Sequence, residues 1–259
     1  MGLVEIEDRG AVRHVVMARA EKRNAMNEEL IRGLGEAFEA AAADDSVRCL
    51  VVRGDGPMFS SGMDLGSLGE LSEHPDRLRP FRSGVLRAWN LLEEMPKATI
   101  CQIHGACIGG AMELALAADM RVMAEDAVAG LLEARIGLLP DVGGCSRLPA
   151  VVGLGRAKEL IMTGRVIDGR EAHRIGLANR IAPAEALDET TEALTAELLA
   201  CAPMAVGLAK RVMDAAAKPA LAATLEHEVT CQQLLASSED FAEGARAFHE
   251  KREPEFAGR

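Results

Sequence analysis

The chain has 259 residues, of which 49% are hydrophobic and 27% are charged, a composition typical of a globular domain with a substantial core. No stretch approaches the roughly 18 consecutive apolar residues that a membrane-spanning helix needs, so no membrane partner is expected. The net charge of −11 disfavours binding to nucleic acid and to anionic membrane surfaces.

The first half of the sequence alternates between strand and helix patterns. Residues 4–6 and 12–17 are short alternating runs on either side of a turn, which predicts an antiparallel hairpin. Asn27 is placed to cap a helix that runs to about residue 43. Residues 48–53 form an apolar strand that ends at a Gly-Asp-Gly-Pro turn, and helical periodicity returns from 76 to 94.

A further strand-helix unit follows, and the end of the chain is helical. Residues 98–103 form a strand, a glycine-containing turn follows, and small apolar residues predict a helix from 109 to about 118. Another strand spans 120–124, and a loop runs through Glu133 before several helices. From residue 184 onward the pattern is almost entirely helical. These patterns predict an α/β core with a helical C-terminal subdomain.

Two segments that contain glycine follow predicted strands: residues 59–65 (FSSGMDL) and 104–113 (HGACIGGAME). Glycines at the start of a helix let another group approach the free backbone N–H donors, where the helix dipole favours negative charge. One donor from each segment could form an oxyanion hole for a thioester carbonyl. The alternative is that these glycines only let a helix pack tightly on the sheet.

Three acids lie in or near these segments, and each has a structural alternative. Glu113 lies in the first turn of an otherwise apolar helix, where a carboxylate is costly unless it is paired; it could be a helix cap or an ion-pair partner. Glu133 could pair with Arg135 or Arg121. Asp141 precedes a Gly-Gly helix start and could be an N-cap.

Other site chemistries are poorly supported. The six histidines have no metal-ligand spacing, so no metal is expected. No nucleophile elbow, phosphate loop or dinucleotide-binding glycine pattern is present. The six scattered cysteines form no Cys-x-x-Cys pair, and acids at the N-terminus argue against a signal or transit peptide. A reduced, cytoplasmic protein is therefore expected.

Taken together and in order, the segments resemble the crotonase, or enoyl-CoA hydratase/isomerase, superfamily. The resemblance covers nearly the whole chain and rests on residues 20–27 (AEKRNAMN), 59–65, 108–115 (IGGAMELA), 140–149 (PDVGG and RLP), 157–164 (AKELIMTG), 172–179 and 248–252.

This resemblance implies a core of repeated ββα units arranged as a superhelix, with a helical C-terminal subdomain. It divides the chain into residues 1–200, which carry the CoA site and the oxyanion hole, and residues 201–259, a helical oligomerisation region. It also implies homotrimers that commonly pair into hexamers. The helix predicted around residues 221–235 is rich in apolar residues, which favours the same expectation.

The resemblance assigns a role to each candidate site residue. The N–H groups of Met63 and Gly110 become the oxyanion hole, and Glu113 and Glu133 hold a water over the double bond of a 2-enoyl-CoA. Glu113 helps to deprotonate the water that attacks Cβ, and Glu133 delivers a proton to Cα.

An acyl-CoA thioester is the expected partner, and no separate cofactor is implied. Because the chain and coenzyme A are both anionic, local cations must meet the CoA phosphates. The residues that the resemblance assigns to CoA are Lys22, Arg23, Ala25, Ser61, Asp64, Leu65 and Lys251, with Arg252 as a further cation. The alternative for the cations is ordinary solvated surface.

Asp141 departs from the small residue that many family hydratases carry at this position. An acid here, together with Glu133, is seen in family members that isomerise a dienoyl-CoA or hydrolyse a hydroxyacyl-CoA. Retention of both Glu113 and Glu133 favours the hydratase, with a double-bond isomerase as the main alternative and an acyl-CoA hydrolase as a lesser one.

A non-catalytic CoA-binding or RNA-binding protein is disfavoured by the acids and the negative charge. The acyl pocket is expected within residues 66–89, which include Leu68, Leu71, Leu78, Phe81 and Trp89.

Overall fold

The computed structural model describes residues 2–64, 66 and 75–259. Within them the chain forms two sheets surrounded by helices. The first strands, β1 (Val4–Arg9) and β2 (Val12–Met17), form the predicted antiparallel hairpin, in a register that pairs Val4 with Met17.

The larger sheet has six strands in the order β1-β2-β3-β4-β6-β9, and from β2 onward its neighbouring strands are parallel. Every residue of β4 is buried, as expected for a parallel strand that is covered on both faces. The later strands of this sheet are β3 (Cys49–Gly54), β4 (Ala98–Ile103), β6 (Met120–Ala124) and β9 (Arg180–Ala182).

The smaller sheet, in the order β5-β7-β8, consists of β5 (Ala106–Ile108), β7 (Val128–Gly130) and β8 (Ile167–Asp168). The chain passes from β4 in the larger sheet to β5 in the smaller one, and again from β6 to β7. These passages are the repeated ββα units that the resemblance implies, and the predicted α/β architecture is confirmed.

Ten α-helices occur in the described residues. The first, α1, begins after Asn27, whose Oδ1 accepts a hydrogen bond from Leu30 N at 3.0 Å, as the sequence predicts. All eight residues of α3 are buried, so this helix lies inside the core. The helices are α1 (Glu28–Ala43), α2 (Leu78–Glu94), α3 (Gly110–Ala117), α4 (Gly144–Val152), α5 (Leu154–Thr163), α6 (Gly169–Arg174), α7 (Leu187–Leu199), α8 (Pro203–Ala217), α9 (Leu221–Ala236) and α10 (Glu239–Glu250).

Two regions differ from the sequence prediction. The turn expected after residue 103 contains β5, and the loop expected through Glu133 contains β7 and then a 3₁₀ helix, Glu133–Ile136. Strands of three residues are too short to display an alternating pattern, so periodicity cannot reveal them.

The helical C-terminal region is confirmed, with helix ends before Pro203 and around Pro219. Its role in oligomerisation stays a prediction.

No single helix of the described residues is long and apolar enough to cross a membrane. The helix pair Ala184–Leu199 and Pro203–Ala217, bent by 102°, meets that criterion only when the two are taken together, by length and composition.

Candidate active site

A cavity of about 800 Å³ lies beside the N-terminus of α3. Segments that are distant in sequence form its wall: the loop after β2, residues 61–64, the start of α2, the first turn of α3, the chain from Leu132 to Val142, and helices α9 and α10. The cavity is therefore assembled from both the α/β core and the C-terminal helices.

Met63 and Gly110 both line this cavity, and neither donates its backbone N–H to a described residue. Met63 and Met26 form a parallel β-bridge. Its two hydrogen bonds involve the backbone of the residues on either side of Met63: Met26 N donates to Gly62 O at 2.8 Å, and Asp64 N donates to Met26 O at 3.0 Å. The Met63 N–H therefore points away from Met26. Gly110 is the first residue of α3, so its N–H has no acceptor within the helix.

Two glycines bring these donors close together. Gly62 has φ +95°, and a Cβ on it would lie 2.4 Å from Ile108 O and 3.6 Å from Gly110 N. Gly109 has φ +57° and ψ −127°, a conformation that is essentially restricted to glycine. The sequence left two alternatives for these glycines, tight packing of a helix or placement of N–H donors. In the structure both result from the close approach of residues 61–64 to the start of α3.

Glu113 lines the cavity and is only 3% exposed. Its Oε1 accepts hydrogen bonds from Val142 N and Gly144 N, each at 2.9 Å, so the carboxylate caps α4 rather than its own helix. Burial raises the pKa of Glu113 well above its usual value, and the negative charges of Glu133, Asp141 and Glu228 raise it further.

Glu133, at the start of its 3₁₀ helix, lines the same cavity. Its Oε2 is buried and has no hydrogen-bond partner among the described residues, and burial, with the charge of Asp141, raises its pKa to about 7. Neither arginine considered from the sequence pairs with it: buried Arg121 donates to backbone carbonyls such as Leu177 O at 2.6 Å, and Arg135 donates to Thr163 O at 3.4 Å. Glu133 is thus an unpaired acid at the cavity.

Asp141 is a third acid that lines the cavity. It does not cap α4, whose N-cap is Gly143. Its Oδ1 accepts a hydrogen bond from Gln232 Nε2 at 3.3 Å, and its Oδ2 lies 3.3 Å from Arg82 Nε. Burial raises the pKa of Asp141 to about 7; the charge of Arg82 lowers it and that of Glu228 raises it.

Three residues near these acids were not found from the sequence: Arg82, Glu228 and Gln232. Arg82 is 4% exposed and occupies the buried face of α2, and Glu228 and Gln232 occupy the buried face of α9. A charged or amide side chain at a helix position that repeats with buried apolar residues is the signal that could have identified them.

The loop before the cavity mouth has an unusual backbone, with φ +56° at Arg23 and +53° at Asn24. The fully buried Asn24 side chain holds it, since Nδ2 donates to the carbonyls of Asp55, Met58 and Phe59 at 2.8–3.1 Å. The loop thereby presents Lys22 and Arg23 as exposed cations at the cavity.

The predicted CoA residues are brought together only in part. Lys22, Arg23, Ala25, Ser61 and Asp64 all line the cavity. Arg19 Nη1 binds Asp64 Oδ2 at 2.7 Å, so this carboxylate also fixes the loop.

The remaining predicted CoA contacts are Leu65, Lys251 and Arg252. Leu65 lies outside the described residues. Lys251, the C-cap of α10, and the neighbouring Arg252 do not line the cavity, and Arg252 is ion-paired to Glu243 and Glu250.

In the predicted acyl region, Leu78 and Phe81 line the cavity, whereas Trp89 is fully buried in the core. Leu68 and Leu71 lie outside the described residues.

In the part of the chain that the structure describes, no group of three or more His, Cys, Asp or Glu side chains could hold a metal ion.

Comparisons with known proteins agree on one family. The family model described as enoyl-CoA hydratase/isomerase matches residues 7–259. A probable mitochondrial enoyl-CoA hydratase 2 of Arabidopsis thaliana is 35% identical over 94% of this chain and 81% of its own length. A mitochondrial methylglutaconyl-CoA hydratase of Mus musculus is 35% identical over 98% of this chain and 82% of its own.

A solved structure supports the same assignment. An enoyl-CoA hydratase from Mycobacterium avium subsp. paratuberculosis superposes with a TM-score of 0.88 at 27% identity, and the match covers 99% of each chain. This similarity confirms the predicted crotonase-like fold.

Proposed function

Because the chain belongs to the enoyl-CoA hydratase/isomerase, or crotonase, family, we propose that it hydrates a trans-2-enoyl-CoA to a 3-hydroxyacyl-CoA. One observation carries the choice of hydration: the buried Glu113, and Glu133 with its buried Oε2 atom, line the same cavity as the backbone N–H groups of Met63 and Gly110, which have no acceptor among the described residues. Addition of water needs both a base and an acid, whereas moving a double bond can be done by one carboxyl group that takes and returns a proton.

In the proposed mechanism the thioester oxygen accepts hydrogen bonds from Met63 N and Gly110 N. These donors stabilise the negative charge as water adds to Cβ and the enolate forms, and one such donor contributes about 3 kcal/mol or more. Because both lie on rigid backbone, little reorganisation is needed when the charge develops.

The two glutamates divide the proton transfers. Glu113, held at Oε1 by two backbone N–H groups, orients the water and takes its proton as the C–O bond to Cβ forms. Glu133, whose pKa is raised to about 7, donates a proton to Cα and completes the addition of one water. Two acids in one desolvated site cannot both ionise easily, which suits a pair with one proton between them.

Cations at the mouth of the cavity can offset the repulsion between the anionic chain and coenzyme A. Lys22 and Arg23 are exposed beside the cavity, and we place the CoA phosphates against them. The acyl chain extends towards Leu78, Phe81 and Ala236, which make that wall largely apolar.

The test is an assay of purified protein with crotonyl-CoA and a longer 2-enoyl-CoA. Loss of the conjugated enone absorbance, with a product heavier by one water, is the expected result. Absence of reaction with both thioesters contradicts the hydratase proposal.

A second candidate, double-bond isomerisation by Glu133 and Asp141, is favoured by one observation: the buried Asp141 Oδ2, although it lies near Arg82, has no hydrogen-bond partner in the part of the chain that the structure describes, and the pKa of Asp141 is raised to about 7. The variant Asp141→Asn separates the two reactions. We expect it to retain hydration of 2-enoyl-CoA within about tenfold, whereas loss of a proton-transfer group in an isomerase costs about 10²–10⁴-fold. Assays of 3-enoyl-CoA and 3,5-dienoyl-CoA with both proteins complete the test.

We also propose that copies of the chain assemble as trimers or hexamers. Met204, Leu208 and Val212 form an exposed apolar row on α8, with exposures of 77%, 52% and 70%. Light scattering after size exclusion measures the assembly directly, and a monomer at micromolar concentration contradicts this proposal.

A further inference from the structure

The N-terminus of α4 is held by two carboxylates that come from helices far apart in sequence. Glu113 on α3 accepts from Val142 N and Gly144 N, each at 2.9 Å. Glu228 on α9 accepts from Gly143 N at 3.0 Å and from Ser146 N at 2.8 Å. The two acids thus bind interleaved donors of one turn, where the helix dipole favours negative charge.

Several neighbouring groups hold the Glu228 carboxylate in this position. Ser146 Oγ donates to its Oε1 at 2.6 Å, and its Oε2 lies 3.6 Å from Arg82 Nη2. Arg82 in turn donates to Asp141 O at 2.6 Å and also binds Leu225 O. Glu228 is 5% exposed and is not among the residues that line the cavity, so a role in direct contact with substrate is not indicated.

We propose that Glu228 is a positioning residue for the reaction at this cavity: by holding Gly143 N and Ser146 N, it fixes the turn that holds the Glu113 carboxylate. The inference rests on the proposed function, in which Glu113 orients the attacking water. A displacement of about 1 Å in a group that positions a reactant can cost on the order of 10²-fold in rate.

The charge of Glu228 also acts on the neighbouring acids. It raises the pKa of Glu113 and of Asp141. The titratable or charged groups recorded around it in the described residues are Arg82 on α2, Glu113 on α3, Asp141 before α4, and the Cys145 thiol on α4. Removing the negative charge therefore lowers the pKa of Glu113, the proposed base, and of Asp141.

The test uses Glu228→Gln, which keeps the shape of the side chain and removes its charge. We expect kcat to fall about tenfold or more with little change in KM, since the substrate contacts remain. The limb of the kcat/KM pH profile that rises with pH moves to lower pH by about half a unit or more, because the base Glu113 titrates at lower pH. Thermal unfolding of each variant confirms that it is folded.

A matched control and a milder variant keep this test decisive. Glu226→Gln removes the same charge from the exposed side of α9, where Glu226 is 70% exposed, and leaves rate and profile unchanged. Ser146→Ala removes a donor that lowers the pKa of Glu228, so it moves the profile in the same direction by a smaller amount, even if Glu228→Gln is unstable. A folded Glu228→Gln with wild-type kinetics, or a slower variant whose profile does not move, overturns the proposal.

Failure of the proposed function is recognised separately. If the wild-type protein does not hydrate 2-enoyl-CoA, that function is wrong whatever the variants do. The positioning role is then tested by the pH dependence of the isomerase reaction, in which the wild type and Glu228→Gln are compared on 3-enoyl-CoA. Identical profiles again overturn it.

Discussion

Two groups of buried charges meet at α4 and behave in opposite ways. In the first, Glu93 binds two cations: its Oε2 accepts from Arg147 Nε and Nη2 at 3.1 and 2.8 Å, and its Oε1 accepts from Lys218 Nζ at 2.5 Å. Burial acts to raise the pKa of Glu93, but Arg147 and Lys218 outweigh it and the pKa is lowered.

In the second group, four acids have one cation among the described residues. Arg82 lies beside Asp141 and Glu228, whereas Glu113 and Glu133 have no recorded cation partner there, and the pKa of each of the four acids is raised. Glu93 and Glu228 are about equally buried, at 6% and 5% exposed, so the number of nearby cations decides in which direction the pKa of the carboxyl group moves. A cluster that retains protons near neutral pH is suited to catalysis, and a fully paired one is suited to holding helices together.

The largest effect that the comparison predicts is on turnover. Glu133→Gln removes the proposed proton donor, and we expect kcat to fall by about 10²–10⁴-fold. Because Glu133 has no ion-pair partner among the described residues, the variant should be no less stable than the wild type near neutral pH and should keep its affinity for coenzyme A, which calorimetry can measure. The exposed Glu94, changed to Gln, is the control. Turnover near the wild-type rate would show that Glu133 is not catalytic.

The next largest effect concerns the paired group. Arg147→Met leaves Glu93 with one of its two cations and also removes the hydrogen bonds of Arg147 to Asn90 and Val142. We expect the free energy of unfolding to decrease by about 3–5 kcal/mol, as measured by urea denaturation. Arg32→Met, at a pair whose arginine is 65% exposed, should change it by less than about 1 kcal/mol. An equal effect at both sites contradicts the structural role assigned to Arg147.

The pH dependence of stability should have opposite signs in the two groups. The pKa of Glu133 is raised from 4.5 to about 7, so the wild type loses stability as pH rises through that interval. Glu133→Gln lacks this loss, so its stability relative to wild type should increase from pH 5 to pH 8 by about 2–3 kcal/mol.

The pKa of Glu93 is lowered, so its contribution is present above the usual pKa of a glutamate and is lost on acidification. Glu93→Gln should therefore be most destabilising near neutral pH. Urea denaturation at several pH values measures both variants, and the same sign for both contradicts the comparison.

The smallest effect is expected for Lys218→Met. This variant removes one cation, but the two hydrogen bonds from Arg147 to Glu93 remain. We expect a loss of about 1–2 kcal/mol in the free energy of unfolding. A loss as large as that of Arg147→Met would mean that Lys218 is the main partner of Glu93.

Local patterns predicted the features that depend on nearby residues. The hairpin, the Asn27 cap and the strands at 98–103 and 120–124 all have strong local signals, and the structure confirms them. The family resemblance then identified the acids and glycines that the structure gathers at one cavity.

The features that were missed depend on long-range pairing. Glu228 follows Glu113 by more than a hundred residues, and nothing in the local sequence states that both carboxylates cap α4. In the sequence, Arg82 is likewise only one charge on an amphipathic helix. Its contacts with Asp141 and Glu228 become visible only in the structure. The sequence could have shown only that α2 and α9 each carry a charge on an apolar face.

The contribution of α9 and α10 to the cavity wall has a consequence for protein synthesis. The ribosome makes the strands, α3 and α4 first, so the nascent chain carries Glu113 and the α4 N-terminus before Glu228 exists. Until α9 emerges and docks, Gly143 N and Ser146 N have only water as an acceptor. The cavity is therefore completed only after α9 and α10 have been made, which delays the formation of a working site during synthesis.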